Sequence, residues 1–166
     1  MEPVPPKRMP GERKLAGNAA YDDALDELIA NATHSVQIFD RRLTASFNSV
    51  RRYELLRTLL LAKRTNRVRI VLHDTRNVVR DCPRLMLLLR HFSHGVAVHQ
   101  TLPAARRVYD PFAIGDAARF VHRFHYNDVR AVATVGDVAA TQLLLKRFDE
   151  IWLASAPAVT AGTSGL

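Results

Sequence analysis

RVYDPFAIGDAARFVHRFHYND, residues 107–128, is the stretch whose reading decides the fold. Two short runs, near 110–115 and 118–124, flank Gly115-Asp116, a pair suited to a tight reversal of the chain. They read as an antiparallel hairpin. On its second strand Phe120, His122 and Phe124 share one face, while Val121, Arg123 and His125 share the other.

Working outward toward the N-terminus, the chain alternates helix and strand. Asn18 stands where it can cap a helix with Tyr21, Leu25, Leu28 and Ile29 on one side and Asp22, Asp23, Asp26 and Glu27 near its start. SVQIF, residues 35–39, reads as a strand. Residues 47–63 place Val50, Leu55, Leu59, Leu60 and Ala62 on a buried stripe and predict the second helix. RVRIVLH, residues 67–73, turns from alternation to a continuous apolar run, as an internal strand does. Pro83 suits the first turn of a third helix over 84–92, Gly95 ends it, and a strand follows over 96–99. Beyond the hairpin come a strand over 131–135 and a helix over 138–154. Asp137 caps that helix, and Leu143, Leu144, Phe148, Ile151 and Trp152 form its buried side.

This order predicts an α/β fold: a mostly parallel sheet with crossover helices, then a C-terminal hairpin and a closing helix. Four prolines, two glycines and no apolar period predict an unstructured arm over residues 1–17. The domain is expected over 18–155, with a frayed tail over 156–166.

With 166 residues, 48% of them hydrophobic and 24% charged, the chain has the balance of one globular domain. No apolar run reaches the roughly 18 residues of a membrane span. The basic residues near the start precede no apolar segment, so no secretory signal is expected, and the expected location is cytoplasmic. Cys82 is the only cysteine, which excludes an internal disulfide and a cysteine-based zinc cluster. His91/His94 and His122/His125 are spaced as ligand pairs but have no evident third ligand, so neither metal nor cofactor is expected. The net charge of +8 is concentrated in residues 67–130, which hold eleven arginines against five carboxylates. Arginine in surplus suits phosphate or carboxylate binding, although it also serves as an ordinary solvated cation.

The segments HSVQIFDRRL (34–43), LLLAKR (59–64), RVRIVLHD (67–74), DPFAIGDAARFVHRF (110–124) and FDEIWLAS (148–155) follow one another as in one half of a phospholipase D-type domain. Over roughly 18–155 the chain resembles a small bacterial branch of that superfamily. The resemblance implies a His-x-Lys-x4-Asp signature ending at Asp116, which puts Tyr109 at the histidine position and Pro111 at the lysine position. Active members use that histidine as nucleophile and the lysine to clamp phosphate. Neither Tyr109 nor Pro111 supplies such a group. The resemblance therefore implies a non-catalytic domain, serving as an anion- or ligand-binding or assembly module, with no catalytic residue and a homodimer by analogy with single-copy members.

Ligands of parallel sheets bind beyond the C-terminal strand ends. The candidates there are Asp40 and Arg41 after the first strand, His73, Asp74 and Arg76 after the second, and Arg123 and His125 on the hairpin. Arginine supplies charge-assisted bonds and histidine can exchange a proton near neutral pH. The expected ligand is a small anion or phosphate group. Each candidate also has a structural reading: Arg123 paired with Asp110, Asp116 or Asp128; His125 packed on Tyr126; Asp74 capping the next segment or pairing with Arg76 or Arg80. His122 reads as a hydrogen-bonded core histidine. Two alternatives remain, a phosphoryl- or acyl-transfer enzyme with a replaced His/Asp/Arg constellation and a weak nucleic-acid binder.

Overall fold

The structure, a computed structural model, describes residues 11–162. Residues 1–10 of the expected arm and 163–166 of the expected tail lie outside the described residues. In chain order the elements are β1 (Arg13–Ala16), α1 (Asn18–Asn31), β2 (Ser35–Asp40), α2 (Val50–Ala62), β3 (Arg67–Leu72), α3 (Val78–Asp81), α4 (Pro83–His91) and β4 (Val96–Thr101). They continue with β5 (Phe112–Gly115), β6 (Arg119–Arg123), β7 (Arg130–Val135), α5 (Val138–Leu153) and β8 (Ser155–Val159).

All eight described strands lie in one sheet, in the order β1-β7-β6-β5-β2-β3-β4-β8. Only β2–β3 and β3–β4 pair in parallel, so the α/β class holds but the sheet is mostly antiparallel. The reason is the path after β4. Up to that point α2 and α4 carry the chain back over one face, and each new strand repeats the direction of the last. The loop after β4 then crosses to the far side of β2, and β5 enters antiparallel to it, with Phe112 opposite Phe39. From there β6 and β7 follow as hairpin neighbours. Two strands also arise where none was expected. Arg13–Ala16 pairs with β7 and buries Leu15, and Ser155–Val159 pairs with β4 and buries Val159.

The sheet divides the core in two. Val36, Ile38, Val68, Ile70 and Leu72 face α1, α2 and α4, while Phe39, Val71, Phe112 and Ile114 face α5. Within α5, Leu144, Phe148 and Ile151 are buried and Trp152 is partly buried, but Leu143 is 70% exposed and belongs to the solvent side. Helix starts follow local chemistry. Asp137 Oδ1 accepts from Ala140 N at 3.0 Å, and Ser49 Oγ accepts from Arg52 N at 3.1 Å. Asn18 does not cap α1; Gly17 precedes the helix and no side chain closes it. The second helix is shorter than its apolar stripe predicts. A separate turn over Ala45–Asn48 comes first, and Val50 and Ala62 are exposed whereas Leu56, Leu59 and Leu60 are buried.

The hairpin turns on Asp116 and Ala117, both with φ of 55°, the left-handed pair that matches the twist of flanking strands. Asp116 does more than turn. Its carboxylate accepts from the backbone N–H groups of Thr33 (2.7 Å), His34 (2.7 Å) and Ser35 (3.0 Å), fastening the hairpin to the start of β2.

Candidate functional site

Because β2 and β6 run toward the same rim, their last residues, Asp40 and Arg123, meet there with the loops that follow them. A cavity of about 490 Å³ opens between this rim and the helices α1 and α2. Arg41 and Arg42 from the loop after β2, Arg123 from β6, and Tyr126 line it, as do Tyr21 and Asp22 of α1 and Arg52 of α2. Asp40 also faces it.

The wall beneath α1 and α2 is built on a buried ion pair. Arg52 is 2% exposed; its Nε donates to Asp26 Oδ1 at 2.8 Å and its Nη2 to the Asp22 carbonyl at 3.1 Å. Its guanidinium also lies over the Phe47 ring. On the opposite side, Arg123 Nε donates to the Asp128 carbonyl, and its guanidinium lies 6.0 Å from the centre of the Tyr21 ring. Arg41 lies 4.9 Å over the Tyr126 ring, a cation–π contact that holds the side chain without neutralising it. Among the described residues, none of Arg41, Arg42 and Arg123 is ion-paired with a carboxylate within 4.0 Å.

Asp40 accepts from Arg41 N at 2.7 Å. Burial pushes its carboxyl up to about 6, a rise that this amide and the charge of Arg123 only partly oppose and that Asp22 reinforces. Tyr21, buried against it, is held above its ordinary value by burial and then by the Asp40 charge.

The candidates named from the sequence separate into two groups. Asp40, Arg41 and Arg123 share the cavity. His125 lies just behind it, its ring 4.5 Å from that of Tyr126 and 5.7 Å from that of Tyr109, while its Nδ1 accepts from Asn127 N at 3.0 Å. His73, Asp74 and Arg76 stand apart. Both nitrogens of His73 are engaged at 2.6 Å, Nε2 with the Val108 carbonyl and Nδ1 with Thr101 Oγ1. Since the carbonyl can only accept, Nε2 donates to it. Asp74 binds Arg76 through a two-pronged pair at 3.1 and 2.9 Å, which lowers its carboxyl to about 2. That trio stabilises the strand end and presents no free group to the cavity.

Tyr21, Asp22, Arg52 and Tyr126 were not singled out as site residues by the sequence, and Arg42 stood out only beside Asp40 and Arg41 as a candidate that could equally be structural. The doubled arginine after β2 is the one local signal; Tyr21 and Arg52 read as an ordinary helix face until the helices are packed. His122 bonds Asp110 Oδ2 through Nε2 at 2.7 Å, on the α5 side, where Arg147 also pairs with Asp110. Burial alone would raise the Asp110 carboxyl, but these two partners hold it well below the usual carboxylate range. Pro111 is buried, and its carbonyl accepts from Arg123 N at 2.8 Å; Tyr109 is 45% exposed. Cys82 is buried with its thiol pushed up to about 11 by burial, and no histidine or cysteine lines the cavity. Among the described residues no three His, Cys, Asp or Glu side chains gather as a metal centre would require, and no helix is long and apolar enough to cross a membrane.

The single eight-stranded sheet with its helices has the fold of phospholipase D family members among solved structures. The chain is similar to Nuc from Salmonella typhimurium, a phospholipase D family member, with a TM-score of 0.62 and 14% identity over 90% of this chain and 99% of that one. NucT from Helicobacter pylori is similar with a TM-score of 0.57 and 14% identity, covering 89% of this chain and 98% of that one. TrmBL2, an archaeal chromatin protein that binds DNA, reaches a TM-score of 0.67 at 11% identity; the match covers 92% of this chain and spans 56% of TrmBL2. No curated protein matches in sequence. Residues 17–160 match the model of one family, and the chain belongs to it: the Domain of unknown function (DUF7931) family.

Proposed function

We propose that this chain is a phospholipase D-like domain that binds an anionic group at the cavity between β2, β6, α1 and α2 and does not transform it. One observation carries the reading. Arg41, Arg42 and Arg123 converge on one cavity without carboxylate partners, whereas Arg76, Arg80, Arg130 and Arg147 are each paired with an aspartate. Guanidinium forks without an ion-pair partner around a concave site suit a phosphate, sulfate or carboxylate. The non-catalytic half of the reading rests on Tyr109 and Pro111 at the positions where the resemblance expects histidine and lysine, and on a cavity lined by no imidazole or thiol.

Sulfate tests it. A ligand of the native state adds about 2.7 kcal/mol at a hundredfold excess over its Kd, about 5–10 °C in Tm for a domain of this size. Sulfate is expected to raise the wild-type Tm, and Arg123→Ala is expected to remove most of that rise while the protein stays folded. A wild type indifferent to sulfate and phosphate overturns the anion site. Hydrolysis of an aryl phosphodiester that disappears with His125→Ala overturns the non-catalytic half and favours an enzyme with a replaced constellation.

The likeness to TrmBL2 and the net charge of +8 favour a second reading, nucleic-acid binding through the phosphate backbone. It ranks below the first because four arginines of the basic segment, Arg69, Arg76, Arg80 and Arg130, are already paired with aspartates. DNA affinity that falls steeply with salt, while sulfate leaves Tm unchanged, would reverse that order.

A further inference from the structure

We infer that anion binding at this cavity is coupled to uptake of a proton by Asp40, so that the site holds its anion more tightly in acid and loosens as the pH rises. The inference rests on the anion-site reading and concerns how that site is regulated. Asp40 faces the same space as Arg123 and Arg41, its Oδ1 receives only backbone N–H donation, and it makes no ion pair among the described residues. An anion seated on those arginines therefore sits beside a carboxylate in a partly enclosed site, where like charges repel strongly. Either the anion leaves or the carboxylate takes a proton, becoming a hydrogen-bond donor to the anion.

The groups around Asp40 push in opposite directions, and a bound anion tips the balance toward the protonated form. From α1 come Tyr21, which is neutral, and Asp22, which adds negative charge. From α2 comes Arg52, whose charge is already engaged by Asp26 and Asp22. Arg123 from β6 favours the ionised form, but a bound anion would draw on that same charge. Arg41 and Arg42 flank the site from its own loop and would be screened in the same way. Burial already pushes the carboxyl up to about 6, so a neighbouring anion moves proton uptake toward neutral pH. By reciprocity, an anion that raises the Asp40 value by about one unit binds about tenfold better to the protonated form.

Sulfate is the suitable probe because it stays dianionic across the range, unlike phosphate. Calorimetric titration of the full chain near pH 6.5, in two buffers of different ionisation enthalpy, counts protons taken up per sulfate bound. Wild type is expected to take up a substantial fraction of one proton, and its Kd is expected to rise about tenfold between about pH 5 and pH 8. Asp40→Asn keeps the acceptor for Arg41 N but cannot titrate. It is expected to take up none and to bind across the range with the affinity wild type shows in acid. His125 packs on Tyr126, which lines the cavity, and His125→Gln is expected to keep the wild-type slope.

Zero proton uptake by wild type overturns the coupling without reference to any variant. So does an unchanged slope in Asp40→Asn, or a slope abolished by His125→Gln. Absence of sulfate binding to both wild type and Asp40→Asn at every pH overturns the anion site itself. Binding that is tight but insensitive to pH leaves the site standing and removes only the proton coupling.

Discussion

Three consecutive backbone amides of the β2 approach end on the carboxylate of Asp116, and that residue also turns the chain at positive φ. Asp116→Ala leaves those donors without their acceptor and puts a side chain poorly suited to the left-handed region into it. A loss of about 2–4 kcal/mol is expected, read as a lower denaturant midpoint at unchanged slope; a loss under about 0.5 kcal/mol would show that water replaces the carboxylate freely. Because its partners lower the Asp116 carboxyl, this contribution is present above the unfolded value of about 4 and declines as pH falls through the native one. Asp40 has the opposite sign. Its carboxyl is raised to about 6, so the native state binds more protons than the unfolded state between about pH 4 and pH 6, and stability declines as pH rises through that window. Asp40→Asn removes that decline. Its advantage over wild type is expected to be near zero below pH 4 and on the order of 1–2 kcal/mol above pH 7, after discounting for solvent at the cavity mouth. Urea melts at several pH values check this, and a variant less stable than wild type at pH 8 would contradict it.

At the scale of elements, α5 and α1 begin differently and should respond differently. Asp137→Ala removes the acceptor for Ala140 N and is expected to cost about 1 kcal/mol, whereas Asn18→Ala is expected to change stability by no more than a few tenths, since Asn18 caps nothing. Equal effects in thermal melts would show that local capping does not distinguish the two helices. The α5 start was readable because an acceptor side chain directly preceded a long apolar period. Helices and strands from 18 to 101 were readable from apolar periods that switch between two spacings, apart from the four-residue α3, which is too short to show a period. The direction of β5 was not. Nothing in the loop between Thr101 and Phe112 states on which side of β2 the chain re-enters the sheet, so crossover logic was extended one step too far. β1 and β8 escaped because each is short and contributes one fully buried side chain, Leu15 or Val159, leaving no period to detect. Of the candidate residues, Asp40, Arg41 and Arg123 come together at the cavity where strand ends place them, whereas His73, Asp74 and Arg76, adjacent in sequence, do not line it. The His73 ring is turned inward to Thr101 and Val108, while Asp74 and Arg76 close on each other.

For the whole molecule, the two unexpected strands are the edges of the sheet. β8 covers β4, and Pro157 within β8 removes one backbone donor that a further strand would use. A chain ending at Ala154 would bare the β4 edge beside a core it no longer seals with Val159. It is expected to melt several degrees lower and to scatter light on standing at concentrations where the full chain stays clear; unchanged melting and scattering would show that β8 is dispensable. Behind the cavity, Arg52 locks α1 to α2 through Asp26 and Asp22, and Phe47 packs on its guanidinium. Breaking such a buried pair from one side costs about 3–5 kcal/mol, so the helices do not part to admit a ligand. The consequence is kinetic. Entry needs no slow rearrangement of this wall, so the observed association rate should climb linearly with anion concentration and show no plateau. Differences in affinity among anions of similar charge should then lie almost wholly in how long each one stays.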